Sequence, residues 1–173
     1  MKIGVSSYSF RKYIMSTGAN YIDICDRAKE MGFDCIEFVN LDFGGFNLMG
    51  TEEETAIAIK EHCDKIGLEI VAYTVGANLM ADNVDEQVAA LKKCVDIAAL
   101  LGAPVMRHDV CGAIPKDHLY NWQNAIERMA PYIREVTEYA EAKGIRTCTE
   151  NHGFIFQPPE RVEALIRAVG HKN

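Results

Sequence analysis

No stretch of the 173-residue sequence approaches the ~18–20 consecutive apolar residues of a membrane helix. The opening MKIGVSSYSF has one charge and too short an apolar run for a secretory signal. Lys and Arg never cluster, and the net charge is −7. A binder of nucleic-acid backbones advertises a basic face, so no nucleic-acid partner is expected, and no membrane partner. The acidic balance favours a small-molecule ligand or a metal. None of the six cysteines (Cys25, Cys35, Cys63, Cys94, Cys111, Cys148) forms a C-x-x-C pair, which excludes zinc knuckles and thioredoxin-type motifs. Scattered through predicted elements, they read as small core residues of a reduced, cytoplasmic protein. FGGF, from Phe43 to Phe46, has neither G-x-G-x-x-G nor Walker spacing. No G-x-S-x-G occurs, so a hydrolase nucleophile elbow has no support.

What the sequence has instead is a period. MGFDCIEF from Met31, IGLEIVAY from Ile66, LGAPVMRH from Leu101 and KGIRTCTE from Lys143 share one form. Each reads as a helix end, a glycine and a β-forming run. Gly32, Gly67, Gly102 and Gly144 fit the left-handed position just past a helix, where a Cβ is costly. The segments before them are amphipathic: Val84, Val88, Leu91, Val95 and Ala98 form one stripe, Ile126, Met129, Ile133, Val136 and Ala140 another. Thr51 with Glu54, and Asn83 with Glu86, read as helix N-terminal caps. Predicted strands KIGVSS, CIEFV, EIVAYTV, PVMRHD and RTCTE alternate with these helices, which implies β-α-β units and a parallel sheet.

Successive glycines lie 35, 35 and 42 residues apart, and eight such units need ~250 residues, the usual size of a (β/α)8 barrel. RAVGHKN opens the phrase a fifth time with Gly170, and three residues follow. The expectation is an α/β fold in a single domain over 1–173: five parallel βα units, the N-terminal five-eighths of a TIM barrel. The alternative is a complete five-stranded doubly wound sheet. A partial barrel leaves two strand edges unpaired and inward faces uncovered. Each large apolar side chain left wet forfeits ~1.5–3 kcal/mol against a total stability of ~5–15 kcal/mol. A homo-oligomer, in which a second copy covers that surface, is therefore expected.

Ligands of parallel α/β proteins sit at the carboxyl ends of strands. That selects the loops YSFRKYIMSTG, NLDFGGFNLMG, GANLMADN, DVCGAIPKD and NHGFIFQPP. Glu150 closes the fifth strand, and period-two alternation puts it on one face with Arg146 and Cys148. A carboxylate in a barrel mouth needs a cation or several donors. A divalent metal is one solution, an ion pair with a nearby Arg or Lys the other. His152 follows as a ligand-binding residue or a hydrogen-bonded loop residue. In RHD, alternation sends Arg107 and His108 to opposite faces. Either Arg107 offers its planar fork to an anionic or hydroxylated substrate, or His108 serves as ligand or proton carrier; the alternative is a rim salt bridge of Arg107 with Asp109. Glu37, inside apolar CIEFV, either pairs with an inward Arg or Lys under the pocket or touches substrate. Tyr8 and Phe10 offer an apolar wall to a sugar ring, or plain loop packing.

Four stretches, MKIGVSSYSF, AKEMGFDCIEF, VDIAALLGAPVMRHDV and RTCTENHG, resemble the xylose isomerase-like TIM-barrel superfamily, the sugar phosphate isomerases/epimerases, over essentially the whole chain. The strand-five Glu followed by Asn is the most specific element. The resemblance implies a sugar or sugar phosphate as the small-molecule partner. It also implies a divalent metal (Mn, Mg, Co or Zn) held by a Glu, an Asp, a His and a second Glu from strands five to eight. Glu150 matches the first; the other three would lie beyond Asn173. The implied chemistry is proton transfer next to a carbonyl, with Glu150 as a catalytic carboxylate, or in some members a hydride shift. Two departures stand out. EIVAYTVGAN has no histidine where the endonuclease branch places a metal ligand, and Phe156 stands where the ketose 3-epimerase branch has a substrate-binding Glu. Three readings follow: a metal-dependent sugar isomerase/epimerase lacking its C-terminal ligands, an inactive self-associating partial barrel, or an apurinic endonuclease-like phosphodiesterase.

Overall fold

The computed structural model describes residues 1–44, 46–114 and 121–173. Its strands are β1 (Gly4–Ser6), β2 (Cys35–Val39), β3 (Glu69–Val75), β4 (Val105–His108) and β5 (Arg146–Cys148). The helices are α1 (Arg11–Thr17), α2 (Tyr21–Glu30), α3 (Glu52–Ile66), α4 (Val84–Leu101), α5 (Trp122–Glu141) and α6 (Pro159–Val169). The strands make one parallel sheet in the order β1-β2-β3-β4-β5. This order decides between the two expected architectures. A doubly wound sheet reverses at a switch point, whereas here every crossover steps to the next strand, as in a barrel. The fold is a partial (β/α)8 barrel. No described helix is long and apolar enough to cross a membrane.

Backbone contacts divide the chain into two compact units, Met1–Thr74 with Asp96–Met106, and Val75–Val95 with Arg107–Asn173. In the first, β1 pairs β2 with Ser6 opposite Glu37, and the β2–β3 register slips between Ile36 and Glu37. Thr51 Oγ1 accepts from the Glu54 amide at 3.1 Å, and Glu54 Oε2 accepts from the Thr51 amide at 2.9 Å. This is the expected reciprocal cap of α3, and such a cap contributes about 1 kcal/mol. The core of the unit is aromatic. Tyr21 lies edge-on to Phe38 and stacks on Phe46. Its hydroxyl donates to the Leu41 carbonyl at 2.7 Å, and the Leu41 amide donates to the Tyr73 hydroxyl at 3.3 Å. The predicted first loop is structured: Ser7–Phe10 form a 3-10 turn that runs into α1, with Phe10 buried. Arg11–Thr17 has no strong apolar period, and its ending at Gly18, with φ 73°, is the local signal that marks it as a helix.

In the second unit, the predicted stripe of α5 is buried throughout. Asn121 caps this helix, its side-chain oxygen accepting from the Gln123 and Asn124 amides at 3.0 Å. Thr147 of β5 meets Thr137 of α5, hydroxyl to hydroxyl, at 2.9 Å. That contact orients the strand: Thr147 faces α5, while Arg146 and Cys148 point away and are exposed. After α6 the chain returns to β5, where the Thr147 amide donates to the Asn173 carbonyl and the Asn173 side-chain amide to the Ile145 carbonyl. The cysteines are free, and Cys25, Cys35, Cys63 and Cys111 are buried as expected. Burial pushes the Cys111 thiol up to about 11, which leaves it protonated and unreactive near neutrality.

Candidate functional site

Strand alternation sets the site. In β4, Met106 and His108 are buried and Val105 and Arg107 partly exposed, so Arg107 leaves the sheet on the face turned from the helices. On β5 the same alternation carries Arg146 and Cys148 to that face and, two residues past the strand, Glu150. The two strand ends bring Arg107 and Glu150 together across 43 residues of chain, with Nη2 2.6 Å from Glu150 Oε1. The same nitrogen lies 2.8 Å from Asp109 Oδ1. A tight turn, with the His152 amide donating to the Glu150 carbonyl at 2.8 Å, folds His152 back. Its ring then donates through Nδ1 to Asp109 Oδ1 at 3.1 Å. Asp109 is thus the hub of a four-residue cluster. The sequence marked it only as a possible rim partner of Arg107.

Exposure is graded across the cluster. The Arg107 side chain is 13% exposed, Asp109 30% and Glu150 55%. The guanidinium is the dry end, and its Nε is buried without a hydrogen-bond partner. Ion pairs with one end in water contribute ~0.2–1 kcal/mol, so the cluster serves to position groups more than to stabilise the fold.

His108 does not stand with these residues. It is 1% exposed and lines a cavity of about 310 Å³ together with Ile133, Thr137, Thr147 and Leu165. Its Nδ1 donates to the Asp109 carbonyl at 2.9 Å. Burial pushes its pKa below the ordinary 6.5; the bond to the Asp109 carbonyl opposes that shift and the Arg107 charge adds to it. Alternation thus separates Arg107 and His108, and Arg107 is the one beside Glu150.

The first unit places Glu37 and Tyr8. Glu37 is half-buried and accepts from the Thr74 hydroxyl at 3.4 Å. With Gly4, Val5, Ser6 and Val71 it lines an open hollow of about 260 Å³. The inward Arg or Lys expected for Glu37 is not among the described residues around it; a threonine hydroxyl on the next strand takes that role. Tyr8 is 53% exposed and edge-on to Phe43, over whose ring the Arg11 guanidinium sits at 5.7 Å. In the five loops read for ligand contacts, Gly45 of NLDFGGFNLMG and Pro115, Lys116 and Asp117 of DVCGAIPKD lie outside the described residues.

Among the described residues no three His, Cys, Asp or Glu side chains are grouped as metal ligands. Glu150 is engaged by a guanidinium instead. The residues present therefore do not fit a resident divalent cation. What they do provide is a carboxylate at a strand tip, open to solvent, with one oxygen fixed by Arg107.

A family model described as xylose isomerase-like TIM barrel matches residues 25–173. No curated protein matches the chain in sequence. Among solved structures, the xylose isomerase domain protein from Planctomyces limnophilus is 15% identical, with a TM-score of 0.72 over 99% of this chain and 60% of its own. The D-psicose 3-epimerase from Clostridium cellulolyticum H10, solved with D-tagatose, is 16% identical, with a TM-score of 0.74 over 99% of this chain and 61% of its own. An L-ribulose 3-epimerase is 19% identical, with a TM-score of 0.71 over 99% and 58%. These likenesses show the fold, and the chain spans about 60% of the length of the structures it resembles.

Proposed function

We propose that this chain, which belongs to the xylose isomerase-like TIM barrel family, supplies the first five βα units of a barrel that acts on a small sugar or sugar phosphate. The reaction moves a proton on the carbon next to a carbonyl. The carrying observation is Glu150, more than half exposed just past the C-terminal end of β5 and paired with Arg107 of β4. Barrel enzymes hold their reacting groups at strand ends of this kind.

Arg107 fixes Glu150 Oε1, and the second oxygen has no hydrogen-bond partner among the described residues. That oxygen takes the proton from carbon as general base, leaving an enediolate, and returns it. His152 and Arg107 line the same strand tips and bind hydroxyl or phosphate oxygens of the substrate. Within the first unit, Tyr8 presents an exposed ring and Glu37 a half-buried carboxylate, each a candidate sugar contact by itself. The ketose epimerases among the structural neighbours support a sugar as the substrate class. A divalent metal at Glu150 (Mn, Mg, Co or Zn) requires donors from outside the described residues. The position of β1 at an edge of the sheet supports a homo-oligomer, which light scattering would show as a mass of at least twice 19.3 kDa. Six free cysteines fit a cytoplasmic location.

The test is solvent exchange. The chain is incubated in D2O with a panel of ketoses and their phosphates, and NMR reads deuterium at the carbon beside the carbonyl. Incorporation is expected with at least one sugar, and its loss in Glu150→Gln, whose exposed side chain leaves the fold intact. Incorporation that persists in Glu150→Gln, or its absence with every sugar of the panel, rejects the assignment.

A further inference from the structure

We propose that Arg107 is the resident cation of the strand-tip cluster: its guanidinium sits between Glu150 and Asp109, where a divalent metal shared by the two carboxylates would sit, so the chain holds these groups together free of metal.

The carboxylate pair is of the kind that binds hard divalent cations. Its centre is already taken. One nitrogen, Arg107 Nη2, bridges Glu150 Oε1 at 2.6 Å and Asp109 Oδ1 at 2.8 Å, while His152 Nδ1 donates to the same Asp109 oxygen at 3.1 Å. These are hydrogen-bond distances, longer than the ~2.0–2.2 Å of a metal–carboxylate bond. They spread the oxygens around a nitrogen, consistent with the absence of a three-ligand metal group among the described residues. Arg is protonated at every working pH, so the positive charge is permanent. It neutralises one of the two carboxylates and repels a second cation at contact range. Withdrawal into water is blocked, because the side chain is only 13% exposed and its Nε is fully buried. Glu150, at 55% exposure, is the more open of the two carboxylates. With the guanidinium gone, a small shift of Glu150 brings its oxygen and that of Asp109 to metal distance.

The inference does not depend on the sugar reading, and its test involves no substrate. Free Mn²⁺ is counted by electron paramagnetic resonance while protein is titrated in. The wild type is expected to bind Mn²⁺ no more tightly than about 1 mM, the weak end for carboxylate sites. Arg107→Met, similar in length and uncharged, is expected to gain one site about tenfold tighter or better. Arg107→Met/Glu150→Gln is expected to lose that gain, and Arg107→Lys, which keeps the charge, to behave as the wild type. Should Arg107→Met not fold, Arg107→Gln carries the same expectation. A submillimolar wild-type site that Glu150→Gln abolishes would overturn the proposal. So would a folded Arg107→Met or Arg107→Gln that gains nothing, or an Arg107→Lys that gains as much. Failure of sugar exchange with these Mn²⁺ results intact rejects the sugar reading alone.

Discussion

Phe38→Ala is expected to destabilise the protein by about 3–5 kcal/mol, the range for deleting a fully buried aromatic ring. Phe38 is 0% exposed in β2, and its ring meets Tyr21 edge-on with centroids 6.0 Å apart. Tyr21 in turn stacks on Phe46 at 5.4 Å. Truncation leaves a cavity beneath rings that cannot collapse into it, because the Tyr21 hydroxyl is tied to the Leu41 carbonyl. Total stabilities of ~5–15 kcal/mol leave little margin for such a loss. Urea unfolding of wild type, Phe38→Ala and Phe38→Leu measures it, with the leucine variant retaining most of the stability because it keeps much of the buried volume. A loss below about 1 kcal/mol for Phe38→Ala, where cavity costs are typically several-fold larger, would mean that this core repacks freely.

Acidification from pH 7 to pH 5 is expected to lower stability through His108, with a slope below pH 6.5 of at most about 1.4 kcal/mol per pH unit. The sign follows from burial. The folded state disfavours the imidazolium, so the folded pKa lies below the unfolded 6.5. Below pH 6.5 the unfolded chain binds the extra proton, and stability falls as pH falls; above 6.5 both states are neutral and the full stability is present. The groups facing the ring do not reverse this: Arg107 adds a like charge, and the Asp109 carbonyl only partly compensates. The comparison with His108→Gln isolates this one residue, because the two chains differ nowhere else. The acid slope of the unfolding free energy should be shallower in His108→Gln, and equal slopes would exclude the mechanism.

The sequence made the strands of the interior legible to the residue. CIEFV and EIVAYTV are β2 and β3 as read, because apolar alternation bounded by a glycine and a polar loop leaves little freedom. The predicted stripe of α5 is buried, and the repeat glycines have φ of 66–87°. The edges of the pattern were less legible. KIGVSS, PVMRHD and RTCTE each shrink to three or four residues, since pairing, which depends on a partner far along the chain, sets where a strand stops. The loop after β1 held a helix whose only strong marker is its terminal glycine. At the site, alternation put Arg107 and His108 on opposite faces, as their burial shows. It did not reveal that Arg107 would choose Glu150 as well as Asp109, nor that Glu37 would be satisfied by Thr74. Those choices depend on the splay of neighbouring strands and on the β2–β3 register slip, neither of which has a one-dimensional signature.

The consecutive strand order has a consequence for biosynthesis. Each strand finds its partner in the segment made just before it, so no early strand must wait for a distant one. At ~5–20 residues per second a ribosome delivers a new strand every few seconds, while helix formation and loop closure take microseconds or less. Each βα unit therefore has time to dock on its predecessor before the next one emerges, and the nascent chain presents a single growing edge to the cell's chaperones at any moment.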